Sequence, residues 1–258
     1  MAEAAYEERY CAYIDILGFA DLMSDLRRGK VTYEAIRDVL RRIHKPFDPE
    51  TIDFEHCDFR AQSISDAVAL STKCTIAGLS MLCAAIRHLA EASLHEGYFL
   101  RGALCKGPLY HDETTVFGEA LVKAYRLEEQ TVKFPRIMLT KEVVDDARTS
   151  DKKAEFAEHI NQADDGPFYL HVLCHVAGLL DVLKEKNYDT GGNEHLLAWY
   201  AKMGEMIQRR FDESVDTPRH FEKVQWFANY WNRSIREERA GLKLINGPAL
   251  FQMRFFRV

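Results

Sequence analysis

Two aspartates stand where carboxylates can do chemistry. Asp15 closes the aromatic and apolar run RYCAYIDI just before Gly18, and Asp66 follows Ser65 between two short extended stretches in HCDFRAQSISDAVALSTKC. Carboxylates converging from separate backbone elements are the hard oxygen donors that hold magnesium or manganese. Each also has a commoner explanation, Asp15 as a cap on the helix that follows and Asp66 as a turn residue. The chemistry therefore depends on whether the chain brings the two together.

The surrounding pattern supplies elements that would do so. Residues 9–16 read as a buried strand, and from Phe19 to about Lys45 apolar residues recur at helical spacing, with a break at Gly29 and an end at Pro46. Two strands at about 56–64 and 67–73 form a hairpin with Asp66 near its tip. Ile76, Leu79, Cys83, Ile86 and Leu89 make a helical stripe closed by Gly97, and YFLRGALCKGPLY is extended again. The order β-α-β-β-α-β predicts an α+β ferredoxin-like sheet with helices on one face, its first and third strands central, and Asp15 beside the hairpin. A helix at about 118–130, a strand in PRIMLT and a later one in GPFYLHVL follow.

From about Asn193 two long helical stretches follow, HLLAWYAKMGEMIQRRF and FEKVQWFANYWNRSIREER, divided by Pro218. The expected division is a catalytic domain over 1–190 and a helical extension over 191–258. Aromatics at helical spacing there, among them Trp199, Trp226 and Trp231, are read as packing rather than as a ligand platform.

The 258 residues are 47% hydrophobic and 29% charged, enough for a substantial core. A net charge of -6 and a pI near 5.9 offer no attraction to a phosphodiester backbone, so no nucleic-acid partner is expected. No apolar run approaches the roughly 18 residues of a membrane span, and the acidic start has no leader-like pattern, so the chain is read as cytoplasmic. Six cysteines without CxxC spacing read as reduced core thiols. His171 and His175 around Cys174 are a weak zinc pattern, since Val172 and Leu173 suit a strand end equally well.

Asp15-Ile16-Leu17-Gly18-Phe19, Ser65-Asp66-Ala67-Val68, Arg101 to Gly107 and Phe117-Gly118 through Ala124-Tyr125-Arg126 occur in an order and at separations that resemble the class III nucleotidyl cyclases over about residues 8–140. The resemblance implies that Asp15 and Asp66, with the Ile16 carbonyl, bind two Mn2+ or Mg2+ ions. It implies that Arg101 contacts phosphate, and that Arg126 neutralises the transition-state phosphate with its planar, permanently charged guanidinium. Phe19, next to that metal motif, is a further candidate substrate contact. On their own, Arg101 would be a surface strand residue, and Arg126 would pair with Glu128 or Glu129 on its helix.

Three departures from the family pattern bear on substrate. Val122 stands where the family has an Asn. Gln62 and Thr115 replace the Lys and Asp that read adenine in adenylate cyclases. Gln and Thr each donate and accept, so either pyrimidine edge is within reach and adenine is disfavoured. With the helical extension, the chain looks like the pyrimidine cyclases of bacterial Pycsar antiphage systems, uridylate favoured over cytidylate. Membership implies a homodimer with composite sites, Asp15, Asp66 and Arg101 from one chain and Arg126, Gln62 and Thr115 from the other. It also implies a cyclic nucleotide that acts on a separate effector. The rivals are a purine cyclase, a catalytically silent nucleotide-binding dimer module, and a polymerase palm, the last related by fold analogy alone.

Overall fold

A computed structural model describes residues 5–34, 36–37, 41, 57–186 and 192–247. The helix expected after Gly29 and the start of the hairpin at His56 fall largely outside these residues.

Strand β1 (Glu7–Ile16) lies between β3 (Ala67–Lys73) and β4 (Leu100–His111), antiparallel to both. With β2 (Arg60–Ile64), β5 (Val116–Gly118), β6 (Ile137–Leu139), β7 (Ile160–Gln162) and β8 (Phe168–Leu170) it forms one eight-stranded sheet of order β2-β3-β1-β4-β6-β8-β7, with β5 paired to β4. The segment β2-β3-β1-β4 is the arrangement expected from the element order, with β1 and β3 in its middle. Helix α1 (Phe19–Arg27) follows β1, α2 (Ile76–His95) joins β3 to β4, and α3 (Glu119–Thr131) follows β5. Helices α4 (Lys141–Thr149) and α5 (Lys153–His159) come before β7.

Because successive side chains of a strand alternate between faces, register decides which residues meet. Pairing Asp15 with Ala67 and Arg101, Cys11 with Ser71 and Cys105, and Gln62 with Ala69 puts Arg9, Cys11, Tyr13, Asp15, Gln62, Ser71 and Arg101 on one face. Helix α3 crosses this face. Its small Ala120 and Ala124 are buried against Cys11, Leu109, Ala103 and Cys105, which lets the helix lie close to the sheet. The opposite face carries Tyr10 and Lys106, which both hydrogen-bond Asp146 of α4 at 2.8 Å. Helices thus reach both faces, one more layer than the element order implied.

At the far end of β1 from Asp15, a polar network is buried on the α3 side. Arg9, 2% exposed, donates to Ser71 Oγ at 3.2 Å and to Asp58 at 2.7 Å, and Arg60 donates to Asp58 at 2.9 Å. Ser71 Oγ lies 2.7 Å from His111 Nδ1, and Arg60 also donates to the His111 carbonyl. Ser71 Oγ accepts from Arg9 and shares one hydrogen bond with His111 Nδ1, whose direction follows the imidazole tautomer.

The chain divides into two compact units: Met1–Ser93 with Phe99–Val172, and Leu94–Tyr98 with Leu173–Val258. The second contains α6 (Cys174–Glu185), α7 (Glu194–Glu213) and α8 (Pro218–Ile235). Tyr200, Phe227, Tyr230 and Trp231 form core, as their spacing suggested, whereas Trp226 is half-buried and Trp199 is exposed. Trp231 is fully buried, donates to the Lys243 carbonyl at 3.0 Å, and packs over Gly204, where a Cβ would lie 3.0 Å from the ring. Among the described residues no helix is long and apolar enough to cross a membrane.

His111 gives the fold a pH signature. Burial first, then the neighbouring Arg9 and Arg60 charges, push its pKa down to about 4. The unfolded chain takes up this proton near pH 6.5 and the folded chain does not, so the contribution is complete above that pH and falls as pH drops towards 4. His111→Gln should remove that slope, worth up to about 3 kcal/mol between pH 6.5 and 4. Urea melts of both proteins across this range check it.

Candidate active site

Gly18, with φ of 84°, turns the chain sharply from β1 into α1, and this leaves Asp15 at the strand end and Phe19 half-buried in the first turn of the helix. Across the ladder, β2 and β3 are joined by the two residues Ser65 and Asp66. Ser65 has φ of 60° and Asp66 does not share a positive φ, the pattern of a II′ hairpin turn. Since Asp15 pairs with Ala67, the next residue along, the turn delivers the Asp66 carboxyl to Asp15. The two are near enough to hydrogen-bond when one is protonated.

Arg101 answers this negative charge. Its Nε and Nη2 each donate to Asp15 Oδ2 at 3.2 Å, and Nε lies 2.7 Å from Glu128 Oε1, off the line of a good hydrogen bond. Burial first and Asp66 second push the Asp15 pKa up to about 6 against the pull of Arg101. Glu128, 3% exposed, is raised as well, mainly by burial. Glu128 is a residue that sequence reasoning assigned elsewhere, as a possible partner of Arg126. Residues i and i+2 of a helix point to nearly opposite sides, so the pairing with Arg126 is sterically remote while the pairing with Arg101 is direct. The available signal was its place on the stripe Ala120, Ala124, Glu128, the face that α3 buries.

The same geometry places Arg126. It projects from the exposed side of α3 into a cleft of about 750 Å3 lined also by Tyr6, Gly118, Val122, Lys123 and Thr140, and has no ion pair among the described residues. Val122 is 47% exposed there, so the cleft wall is apolar where the family pattern has an amide. Gly118 starts the helix at φ of 146°, and a Cβ on it would lie 2.6 Å from the Pro108 carbonyl. That position of the Phe117-Gly118 motif therefore requires glycine.

Gln62 and Thr115, 53 positions apart in sequence, are brought to neighbouring places. Gln62 Nε2 donates to the Thr114 carbonyl at 2.6 Å, and Thr115 is exposed on the same β4–β5 loop. This fixes the amide: a flip would set two oxygens against each other. The free turning expected of Gln62 is thus removed, and its Oε1 is left without a protein partner. Asp112 closes the loop, accepting from the Thr114 and Thr115 amides at 2.7 Å each and from the Tyr110 hydroxyl at 2.8 Å. Those bonds, the Thr114 amide first, hold its pKa down to about 2.

Two mutually repelling carboxylates from different elements suit a hard divalent cation. Among the described residues no group of three or more His, Cys, Asp or Glu is gathered to hold a metal, so carbonyl oxygens such as that of Ile16, substrate oxygens and water would complete the coordination. The His171 and His175 pattern belongs to no such group. His171 is a largely buried histidine, pushed down to about 4 by burial first and then by the charges of His159 and Arg87.

No family model and no curated relative matches the chain. Solved structures similar to it include the monomeric guanylyl cyclase domain of the RhoGC fusion protein from the aquatic fungus Blastocladiella emersonii, at 15% identity and a TM-score of 0.45, covering 66% of this chain and 98% of that one. The catalytic core of a rhodopsin-guanylyl cyclase with converted specificity, in complex with ATPalphaS, gives the same four values. The guanylyl cyclase Cya2 is 12% identical with a TM-score of 0.38, covering 66% of this chain and 93% of that one. At these values the likeness carries no argument about chemistry, which rests on the residues themselves.

Arg101 is the counter-ion of two carboxylates that are largely out of water. Arg101→Ala should cost roughly 3 kcal/mol of stability, because it strands both. Adding Glu128→Gln should recover part of that loss while costing stability on its own. A double-mutant cycle in urea reads the coupling.

Proposed function

We propose that the chain is a nucleotidyl cyclase that converts a pyrimidine nucleoside triphosphate, UTP in preference to CTP, into its 3′,5′-cyclic monophosphate and pyrophosphate. The observation that carries this is the split between Asp15 with Asp66 on the sheet and Arg126 on the far side of α3 from Glu128. A homodimer that sets the Arg126 side of α3 of one chain over the Asp15 end of the other would join the two halves.

The reaction forms a bond from O3′ to the α-phosphorus, the 3′-hydroxyl giving its proton to solvent. It breaks the bond from the α-phosphorus to the bridging oxygen, which departs with pyrophosphate, as charge grows on the α-phosphate and the leaving pyrophosphate. Asp15 and Asp66, with the Ile16 carbonyl, would hold two Mn2+ or Mg2+ ions, which supply Lewis-acid stabilisation of that charge. Arg101 orients Asp15 and favours its ionised form, and its assignment to a phosphate contact rests on the resemblance. Arg126, exposed and without an ion pair among the described residues, is available to meet two α-phosphate oxygens at once. Gln62, its Nε2 committed to Thr114, keeps an unpartnered acceptor. That acceptor fits the N3–H of uracil or the N4 amine of cytosine alike, so the preference for UTP rests on the resemblance and not on this residue. Thr115 offers a hydroxyl beside it, and Phe19 an apolar ring next to the metal motif. The cyclic product would act on a separate effector, as in the antiphage systems the sequence resembles.

A second reading, a silent nucleotide-binding dimer module, draws on the exposed Val122. Incubation with each of the four triphosphates and Mn2+, followed by chromatography, separates the readings. Cyclic UMP is expected as the main product and should fall about a hundredfold or more in Asp66→Ala. Cyclic AMP as the sole product would overturn the pyrimidine assignment, and no cyclic product at all would favour the silent module.

The composite site has its own test. Asp66→Ala and Arg126→Ala should each be inactive alone, whereas an equal mixture allowed to exchange subunits should recover about a quarter of wild-type activity, since half the dimers then hold one intact site of two. An inactive mixture would show that both residues act within one chain.

A further inference from the structure

Gln62 reaches the Thr114 carbonyl, beside Thr115, only because the β4–β5 loop is bent over the sheet. In strand order β2 and β4 are separated by β3 and β1, so no ladder hydrogen bond links them. What spans the gap is side-chain chemistry on one face of β2. Arg60 and Gln62, two residues apart and so on the same side, donate to carbonyls at either end of the turn: Arg60 to His111, Gln62 to Thr114. Arg60 is held from behind by Asp58, which also takes Arg9, while Arg9 and His111 share Ser71. The circuit Arg60, His111, Ser71, Arg9, Asp58 is closed.

Inside the loop, Asp112 performs the complementary task. One carboxylate oxygen takes the Thr114 and Thr115 amides and the Thr114 hydroxyl, the other takes Tyr110, and the Asp112 amide donates to the Thr115 carbonyl at 2.9 Å. Charge-assisted hydrogen bonds of this kind hold a four-residue turn in one shape. Tyr110 in turn stacks on Phe117 at 5.1 Å.

We infer that Arg60 and Asp112 are positioning residues for base selection, Arg60 fixing where the loop sits over β2 and Asp112 fixing the shape that presents Thr115 beside Gln62. Neither touches the Asp15 and Asp66 pair, so their loss should blur the choice among bases and leave turnover intact. The inference rests on the assignment of Gln62 and Thr115 to the base.

The test compares Asp112→Ala, Asp112→Asn and Arg60→Lys with the wild type. Two readouts run side by side: kcat and KM for each triphosphate with Mn2+, and equilibrium binding of each triphosphate with Ca2+. Asp112→Ala and Arg60→Lys should reduce the ratio of kcat/KM between the best and second-best triphosphate about tenfold, through KM, with kcat within about threefold of wild type. Asp112→Asn, whose side-chain oxygen still accepts both amides, should restore most of the ratio, which a mere loss of local packing would not do. Melting temperatures confirm that the variants fold.

An unchanged ratio in Asp112→Ala and Arg60→Lys overturns the inference and leaves the cyclase reading standing. An equal fall in kcat for every triphosphate overturns it too. A wild type that binds one base preferentially yet forms no product overturns the cyclase reading alone, and the variants' binding ratios then decide the inference. A wild type with no base preference in either readout overturns the inference outright.

Discussion

The register of β1 between its two antiparallel neighbours is the constraint on which the rest depends. A strand alternates faces with a period of two, so one pairing, Asp15 opposite Ala67 and Arg101, commits every other residue of three strands to the same side. A slip by one residue would send Asp15, Arg9 and Tyr13 into the opposite core and bring Ile14 and Tyr10 out. The apolar run on the other face forbids that slip: Ile14, Val68, Leu70 and Leu104 are all within 1% of complete burial. Hydrophobic burial on one side thus sets the polar chemistry on the other.

Charge placed on the polar face has to be compensated locally, and the two ends of β1 do so differently. At the Arg9 end the circuit is satisfied, with guanidinium groups of Arg9 and Arg60 both donating to Asp58, which burial alone would raise but which those bonds hold below the usual carboxylate range. At the Asp15 end three carboxylates gather around one guanidinium, and the balance is left negative. Stable scaffolds resolve such imbalances, whereas sites that take up cations keep them.

Much of this was legible in the sequence, and the reasons it was legible are physical. An apolar run ending in Asp and Gly declares a buried strand and a sharp exit, so the place of Asp15 followed from local pattern. The order of elements then implied that the hairpin would lie beside it, as the sheet shows. What stayed hidden is long-range. The partner of Gln62 lies 52 residues away and is a backbone carbonyl, which no side-chain pattern reports. Glu128 looked like surface because a charged helical residue usually is, and only its alignment with two alanines hinted otherwise. The longer segment of the second compact unit begins at Leu173, whereas composition changes character near Asn193. Helix α6 carries a mixed apolar and charged sequence that resembles what precedes it, so pattern alone had nothing to mark the transition.

Helix α3 buries Glu128 and exposes Arg126 two positions away, and this has a consequence for how much product a cell would make. Under the cyclase reading a lone chain is half a catalyst, so output at low abundance rises with the square of protein concentration rather than in proportion to it. Anything that brings two chains together, from local crowding to a scaffold that binds both, would act as a switch without touching a single active-site residue. An inert copy that still dimerises but lacks Arg126 as well as the carboxylates would act as a brake, because it occupies a partner and completes neither site.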